Sequence, residues 1–522
     1  MAGKSFPQIG LSFLFKLVRR SNGHASQIRY QKYTSLLHRA EDLSSQTLIF
    51  HSEDALLKSS SSFPYFMVVA FEAGGLLRAL VFFLLYPLAC LFGEELGLKI
   101  KVFLCFFGIK KEGFRIGISV LPKLFSQDVG REGFEVVMSF GRKVAVSNFP
   151  TVMVRGFLQD YLGVEAVVGR ELKVVCGYFV GLMEEKLAAG SAALNEIILG
   201  EEEKTCSHVI GIGCYRSVLH QHPFAHCKEV YLVSKAEKRN WHVLPREKHP
   251  KPLIFHDGRL AFRPTPLATL AMFMWIPLGI FLFLIRFAAG QLLPLCFCSP
   301  IVAFTGAITN VSRPPKSSNT PPPTNNENRP NGTLYVCNHR TLLDPVYVSA
   351  VTSNPSLSAV TYSISKIYEV ISPIRTIHLT RDREKDGVAM KKLLSQNDLA
   401  VCPEGTTCRE PYLLRFSPLF AEVADDITPV AIDVQVSMFY GTTASGFKCL
   451  DPVFFFMNPF PTYNVKILEK LPSSRTCKHG GVSKYEVANH VQYEIAKALG
   501  FECTSFTRKD KYMILAGNEG LV

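Results

Sequence analysis

A histidine and an aspartate separated by four residues stand in the segment Asn338–Pro345, directly after the apolar run Leu334–Cys337. Asp344 precedes Pro345, and an Asp N-cap followed by Pro at the first helical position predicts that a helix starts here. His339 then lies in the loop between a strand and this helix. A turn lets the imidazole reach the carboxylate, whereas two residues five apart inside a helix point in different directions.

Such a pair is the arrangement of a general base. A carboxylate bonded to one ring nitrogen fixes the tautomer and favours the imidazolium, while the other nitrogen takes a proton from a hydroxyl group. Alone, however, a His-x4-Asp pattern is common by chance, and loop capping or solvation is the more frequent role. The interpretation therefore depends on the residues that accompany the pair.

Two further segments could bind an anion. Three arginines, Arg375, Arg381 and Arg383, follow within nine positions. A guanidinium offers a fixed fork of donors that matches phosphate oxygens, although a solvated charged face is the alternative. The stretch Glu404–Thr406 follows the predicted strand Leu399–Cys402, and ligands of α/β sheets bind at the carboxyl ends of strands.

The composition points to a membrane-associated protein of two or more domains. A chain of 522 residues exceeds what one hydrophobic core usually organises. Hydrophobic residues make up 48%, the mean hydropathy is +0.16, and the excess lies in a few blocks. The net charge of +13 suits anionic lipid, a phosphorylated substrate or nucleic acid. Because neither zinc-ligand spacing nor an RNA-binding aromatic pattern occurs, we expect no nucleic acid.

The 14 cysteines include no C-x2-C pair and are typical of structural thiols in a reducing compartment.

The amino-terminal half predicts a basic arm and then an α/β domain. Residues 1–40 contain no Asp or Glu, which is typical of a mitochondrial presequence or of an arm on anionic membrane. Residues 41–262 contain short apolar runs that predict buried parallel strands with crossover helices. Within them, the apolar insert 63–92 could form one span, a re-entrant pair or an interfacial anchor, because Pro87 interrupts it.

The clearest membrane segment comes next, at 264–304. Pro266–Ile285 is long enough to cross a hydrocarbon core of about 30 Å, and a second apolar block follows closely. The two blocks would form a hairpin or a re-entrant pair. Residues 305–333 are rich in Pro and Asn and predict a flexible linker. Residues 334–500 predict a second α/β domain, and 501–522 a polar tail.

Four blocks now stand in order: His-x4-Asp, the arginine block, Glu-Gly-Thr, and the apolar strand Ile427–Val434 with its Pro429. This set resembles the phospholipid and glycerolipid acyltransferase superfamily. The wording around the blocks, such as Leu379–Arg383 and Cys402–Pro411, is similar to that of land-plant glycerol-3-phosphate acyltransferases. The resemblance covers essentially the whole chain. It implies two α/β domains, a haloacid-dehalogenase-like Rossmannoid domain followed by the glycerolipid acyltransferase fold, with membrane-associated segments.

The resemblance also implies residue roles. His339 would deprotonate a glycerol hydroxyl, Asp344 would orient it, and the alkoxide would attack the acyl-CoA thioester directly. No metal or prosthetic group is needed, and acyl-CoA is a substrate. Land-plant members are associated with acylation at sn-2, giving a lysophosphatidic acid, and several serve cutin or suberin formation. The implied substrate-binding residues are Arg381, with Arg375 or Arg383 in support, and Glu404, Gly405 and Thr406.

In this family the amino-terminal domain resembles haloacid-dehalogenase phosphatases, which need a carboxylate nucleophile and further acids for magnesium. Here His51 stands at the position of the nucleophile. Glu53 keeps an acid, but Asp54 is out of register. Ser147 is retained, whereas Cys214 replaces a magnesium-binding Asp. We therefore expect a catalytically silent domain and a product that keeps its phosphate.

The implied partners are acyl-CoA, glycerol 3-phosphate and membrane lipids. Two other functions stay open, an acyltransferase for lysophosphatidic acid or another acceptor, and a non-catalytic membrane scaffold. We expect an integral membrane protein of the endoplasmic reticulum with its active site facing the cytosol. The basic arm keeps a mitochondrial location as the alternative.

Overall fold

The computed structural model describes residues 28–37, 43–184, 209–220, 222–315, 332–362 and 372–520. The predicted arm at 1–40 lies outside the described residues apart from 28–37, and so does most of the predicted linker at 305–333. The described chain forms two compact units. The first comprises the described parts of Met1–Ser61, Phe125–Leu172 and Met183–Pro250, and the second those of Ser62–Leu124, Lys173–Leu182 and Lys251–Val522.

A six-stranded sheet forms the centre of the first unit, in the order β1-β6-β5-β2-β3-β4. Every neighbouring pair runs parallel. β2 and β5 are buried along their whole length, as expected for strands covered on both faces. The prediction of buried parallel strands is confirmed. The strands are β1 (Arg29–Lys32), β2 (Thr47–His51), β3 (Arg142–Pro150), β4 (Ala166–Arg170), β5 (Val209–Gly213) and β6 (Glu229–Leu232).

Short helices lie between these strands and after the last strand. The last of them begins with a capping box, in which the Ser234 side chain accepts from the Glu237 N–H and the Glu237 side chain accepts from the Ser234 N–H. The helices are Tyr33–Leu37, Ser52–Ala55, Arg131–Met138, Thr151–Arg155, the π-helix Gly156–Tyr161, Tyr215–His220 and Lys235–Asn240.

The second unit contains a seven-stranded sheet in the order β10-β9-β11-β8-β12-β13-β7. β12 and β13 are antiparallel, and the other neighbouring pairs are parallel. Because β8 lies between β11 and β12, the loops that follow β8 and β11 leave the same edge of the sheet side by side. The strands are β7 (Ile308–Ser312), β8 (Leu334–Cys337), β9 (Ser358–Thr361), β10 (Arg375–His378), β11 (Leu399–Val401), β12 (Ile427–Gln435) and β13 (Thr462–Ile467).

Side chains of β8 enter two different buried clusters. Leu334 and Val336 pack in one of them, and Cys337 packs in the other. This alternation is the pleat of a strand that is covered on both faces. The principal helices of the unit are Phe63–Leu91, Glu94–Phe106, Pro266–Leu292, Leu295–Phe304, Asp344–Thr352, Arg383–Leu394, Asp451–Phe456, Lys484–Leu499 and Arg508–Leu515.

Two of the described helices are long and apolar enough to cross a membrane, Phe63–Leu91 and Pro266–Leu292. Gly75 interrupts the first, with φ 73° and ψ −175°, a conformation that glycine adopts readily. At about 1.5 Å per residue, residues 76–91 span about 24 Å, less than a hydrocarbon core of about 30 Å. Leu77 and Leu91 are exposed on this second part.

The second apolar helix continues through Arg286 to Leu292, past the predicted end of the apolar stretch at Ile285. The Arg286 guanidinium is buried, and its hydrogen bonds to the protein all end on uncharged oxygens. Carbonyl and hydroxyl dipoles therefore satisfy this cation and join the helix to two loops. The acceptors are the hydroxyl and carbonyl of Thr305 and the carbonyls of Phe456, Asn458 and Pro459.

Candidate active site

The Asp344 carboxylate organises the loop that follows β8. Its exposed fraction is 0%. Oδ2 lies 2.9 Å from His339 Nδ1 and accepts from the Arg340 N–H at 2.6 Å, while both oxygens accept from the Thr341 N–H at 3.0 Å. The Tyr463 hydroxyl donates to Oδ1 at 2.6 Å. The carboxylate thus fixes both the backbone of the loop and the orientation of the imidazole.

The helix start differs from the prediction by one residue. Leu343 occupies the N-cap position and Asp344 is the first helical residue, with Pro345 following. Asp344 does not cap the helix because its oxygens bond back to the loop. The predicted proximity of His339 and Asp344 is nevertheless present.

Glu404 holds the backbone of the histidine. Its Oε1 accepts from the His339 N–H at 2.8 Å, and its Oε2 accepts from the Leu414 N–H at 2.9 Å. Burial raises the pKa of Glu404 to about 7, against the opposing effect of these two donors. Both oxygens accept from backbone N–H groups, so this carboxyl supports the loop that carries His339.

Gly405 and Thr406 continue from Glu404. Gly405 adopts φ +65°, where an L-residue is strained even though a Cβ would meet nothing within 4 Å. Thr406 is buried, and its hydroxyl accepts from Lys511 Nζ at 3.3 Å. The structure therefore gathers His339, Asp344, Glu404 and Gly405 at one edge of the sheet.

An apolar cavity of about 640 Å³ opens beside the histidine. His339 and Gly405 line one part of it, and residues of the helix Pro266–Leu292 line another. A space of this size suits a long hydrocarbon chain next to the reacting group. Other lining residues include Phe287, Gly290, Cys298, Val302, Tyr347 and Phe456.

The three predicted arginines are all exposed. Arg375 lies on the edge strand β10, and Arg383 pairs with Glu422 at 2.7 Å on the surface. Arg381 has φ +68°, and the Asp386 carboxylate holds this conformation by accepting from its N–H at 2.9 Å. In the described part of the chain, none of the three lines the cavity. Their phosphate-binding roles stay predictions.

Ligand atoms of His339, Asp344 and Cys402 lie within 4.8 Å of one another, a spacing that could hold a metal. The donor set does not suit one. The Asp344 oxygens already accept several hydrogen bonds, and a thiol must lose its proton to bind a metal. A hydrogen bond with Cys337 and burial raise the pKa of Cys402 well above its ordinary value. The chemistry of these three side chains therefore gives no support for a metal site here, and the role of His339 as a base stays a prediction.

Similarity to known proteins agrees with this geometry. Residues 47–233 match the family described as "Glycerol-3-phosphate acyltransferase RAM2-like, HAD-like domain", and residues 323–437 match the family described as "Acyltransferase". The chain is 52% identical to the probable glycerol-3-phosphate acyltransferase 2 of Arabidopsis thaliana, over 98% of this chain and 96% of the relative. It is 43% identical to the glycerol-3-phosphate acyltransferase RAM2 of Petunia hybrida, over 90% of this chain and 97% of the relative. The chain belongs to the plant glycerol-3-phosphate acyltransferases.

The family predicted from the four blocks is confirmed, and so are the two-domain α/β fold class and the acyltransferase class of enzyme. The 2.9 Å contact between His339 and Asp344 is compatible with a general base and its orienting acid, and these two roles stay predictions.

The first unit of this acyltransferase carries the degenerate phosphatase site. His51 is buried, with Nδ1 2.7 Å from Asp54 Oδ2 and Nε2 3.3 Å from Glu53 Oε2. Burial acts to lower the pKa of His51, but the two carboxylates outweigh it and raise that pKa. The Ser147 hydroxyl donates to Glu53 Oε1 at 2.5 Å, and the Cys214 N–H donates to Asp54 Oδ2 at 3.1 Å. Glu53 and Asp54 are thus both bound to other groups of the protein.

Two residues that contact the predicted site residues had no signal in the sequence. Tyr463 reaches Asp344 only because β13 lies next to β12 in the sheet. Its ring stacks on Tyr347 with centroids 3.6 Å apart. Lys511 comes from the tail that was predicted to be merely polar. The packing of segments that are distant in the sequence brings both side chains to these contacts, and no local sequence pattern predicts it.

Replacing Tyr463 by phenylalanine tests the support of Asp344. Loss of one hydrogen bond to a charged group is expected to lower kcat about tenfold, with little change in the KM for acyl-CoA. Steady-state kinetics checks this, with Tyr493→Phe as control, because Tyr493 is an exposed tyrosine on the helix Lys484–Leu499. A kcat for Tyr463→Phe equal to that of the control would contradict the role.

Proposed function

We propose that this enzyme transfers an acyl group from acyl-CoA to glycerol 3-phosphate and releases a lysophosphatidic acid. The observation that carries the proposal is the His339–Asp344 pair, 2.9 Å apart, at the wall of an apolar cavity of about 640 Å³. The names of the relatives support the choice of acceptor.

The reaction needs one proton transfer in each direction. His339 Nε2 takes the proton of the glycerol hydroxyl while Asp344 holds Nδ1 and stabilises the imidazolium. The alkoxide attacks the thioester carbonyl, and the tetrahedral intermediate expels the CoA thiolate. The thiolate then takes the proton back from His339, which returns the enzyme to its starting state.

The cavity gives the acyl chain its place. Its wall combines side chains of the sheet domain with side chains of the two apolar helices that end at Leu292 and Phe304. Gly290 lies on this wall, and a Cβ added there would meet nothing within 4 Å. The hairpin of apolar helices is thus positioned to set the usable chain length.

Membrane attachment is part of the proposal. On the helix Pro266–Leu292, Leu267, Met274 and Leu284 are exposed, whereas the opposite side packs on the unit through Trp275, whose indole N–H donates to the Met457 carbonyl at 2.8 Å. Exposed apolar side chains on one side of an otherwise packed helix favour contact with lipid. We place the enzyme on the endoplasmic reticulum with its site toward the cytosol, with mitochondria as the alternative.

The finer chemistry follows the family resemblance. We propose sn-2 acylation, with products that serve glycerolipid, cutin or suberin synthesis. We also propose that the first unit lacks phosphatase activity. The support for that is His51, which occupies the nucleophile position and pairs with both neighbouring acids.

The test of the main proposal is an acyltransferase assay with His339→Ala. Removing the base is expected to lower kcat by at least about a hundredfold. Microsomes are supplied with labelled acyl-CoA and either glycerol 3-phosphate or lysophosphatidic acid, and His479→Ala, an exposed histidine, serves as control. If the wild type is active only with lysophosphatidic acid, the acceptor is lysophosphatidic acid and not glycerol 3-phosphate. If wild-type activity equals that of empty membranes, the proposal of catalysis is wrong.

A larger side chain at Gly290 is expected to shorten the preferred acyl chain. If Gly290→Phe excludes two methylene groups, at about 0.8 kcal/mol each, kcat/KM for long-chain relative to medium-chain acyl-CoA falls roughly tenfold. Gly290→Ala is the matched control, because its methyl group meets open space. An unchanged chain-length profile for Gly290→Phe would show that the acyl chain does not bind in this cavity.

The silent first unit predicts that phosphate stays on the product. Wild-type enzyme incubated with lysophosphatidic acid and magnesium is expected to release inorganic phosphate no faster than membranes without the enzyme. Phosphate release at a rate comparable to acyl transfer would show that the unit has kept its activity.

A further inference from the structure

The tail of the chain is a packed part of the second unit. The helix Arg508–Leu515 begins with a capping box between Thr507 and Asp510. At its other end, Leu515 has an exposed fraction of 0% and packs in a cluster that includes Cys408 and Leu414. The capping box and the packing of Leu515 determine which side of the helix faces the loop that follows Glu404.

That side carries a buried lysine. Lys511 Nζ donates to the Thr407 carbonyl at 2.5 Å, to the Thr407 hydroxyl at 3.2 Å and to the Thr406 hydroxyl at 3.3 Å. Within the described ranges, no carboxylate lies within ion-pair distance of it. Burial lowers the pKa of Lys511. A buried cation without an anionic partner is costly, and such groups concentrate at functional sites.

The loop that Lys511 holds contains backbone donors without acceptors. Among the residues that the structure describes, the N–H groups of Thr406 and Thr407 donate to nothing, although both residues are buried. Buried backbone N–H groups are almost always paired. The loop begins with Gly405, which lines the same cavity as His339. An anion bound here would satisfy these donors and lie close to the base.

We infer that Lys511 is a positioning residue for the acceptor: its ammonium fixes the Thr406–Thr407 segment and supplies positive charge behind donors that receive a phosphate. This inference rests on the proposed function. Both substrates carry phosphate, but only a short glycerol backbone separates that of glycerol 3-phosphate from the reacting hydroxyl. The phosphates of CoA lie beyond the pantetheine arm. A phosphate site beside the base therefore belongs to the acceptor.

The test is Lys511→Met in the full-length enzyme, compared with Lys509→Met. Lys509 lies on the same helix, but it is exposed and pairs with Glu519 on the surface. Loss of hydrogen bonds from a charged group is expected to raise the KM for glycerol 3-phosphate about tenfold to a hundredfold. The kcat is expected to stay within about threefold, and the KM for acyl-CoA unchanged, because the described residues that line the acyl cavity do not include Lys511, Thr406 or Thr407.

Three results would overturn the inference: equal kinetics of Lys511→Met and Lys509→Met, a loss confined to kcat, or a raised KM for acyl-CoA, which would move the site to CoA. If Lys511→Met does not accumulate, Thr407→Val removes one acceptor and keeps the charge. It is expected to raise the same KM several-fold, and an unchanged KM overturns the inference. Inactivity of the wild type toward glycerol 3-phosphate would instead refute the proposed function.

Discussion

The Asp344 carboxylate accepts hydrogen bonds from the N–H groups of Arg340 and Thr341 and from the Tyr463 hydroxyl. It also pairs with Nδ1 of His339. A carboxylate removed from water costs several kcal/mol unless donors surround it. The loop conformation is therefore the condition for burying this group. The same contacts that stabilise the loop also hold the imidazole in one orientation, so the stability of the loop and the geometry of the His339–Asp344 pair have one origin.

The sheet order extends this arrangement. β8 has β11 on one side and β12 on the other, so that Glu404 can hold the His339 backbone and the Asn338 side chain can bond to the Ile432 N–H and carbonyl at 2.7 and 2.9 Å. The loop of His339 is thus tied to β12 and to the segment that follows β11. Glu404, which looks like a ligand-binding acid in the sequence, uses both oxygens on the backbone.

The sequence predicts the parts of this fold whose signals are local. Apolar runs mark Val209–Gly213 and Leu334–Cys337, and the structure has strands with those bounds. The edge strand Arg375–His378 has no such signal, because its partly exposed residues include charged ones. Tyr463 and Lys511 have no signal either. Their burial depends on which strands and helices become neighbours, and residue types along the chain do not encode that pairing directly.

His51 holds two acidic side chains together in the first unit. In its present place the imidazole lies between Glu53 and Asp54, and Lys238 donates to the Glu53 carbonyl at 2.7 Å. Replacement of His51 by aspartate would remove the group that pairs with both acids and add a third carboxylate beside them. Such like charges repel one another in a buried setting. A single His51→Asp substitution would therefore destabilise the first unit, because the two acids would lose their cationic partner and face a third negative charge.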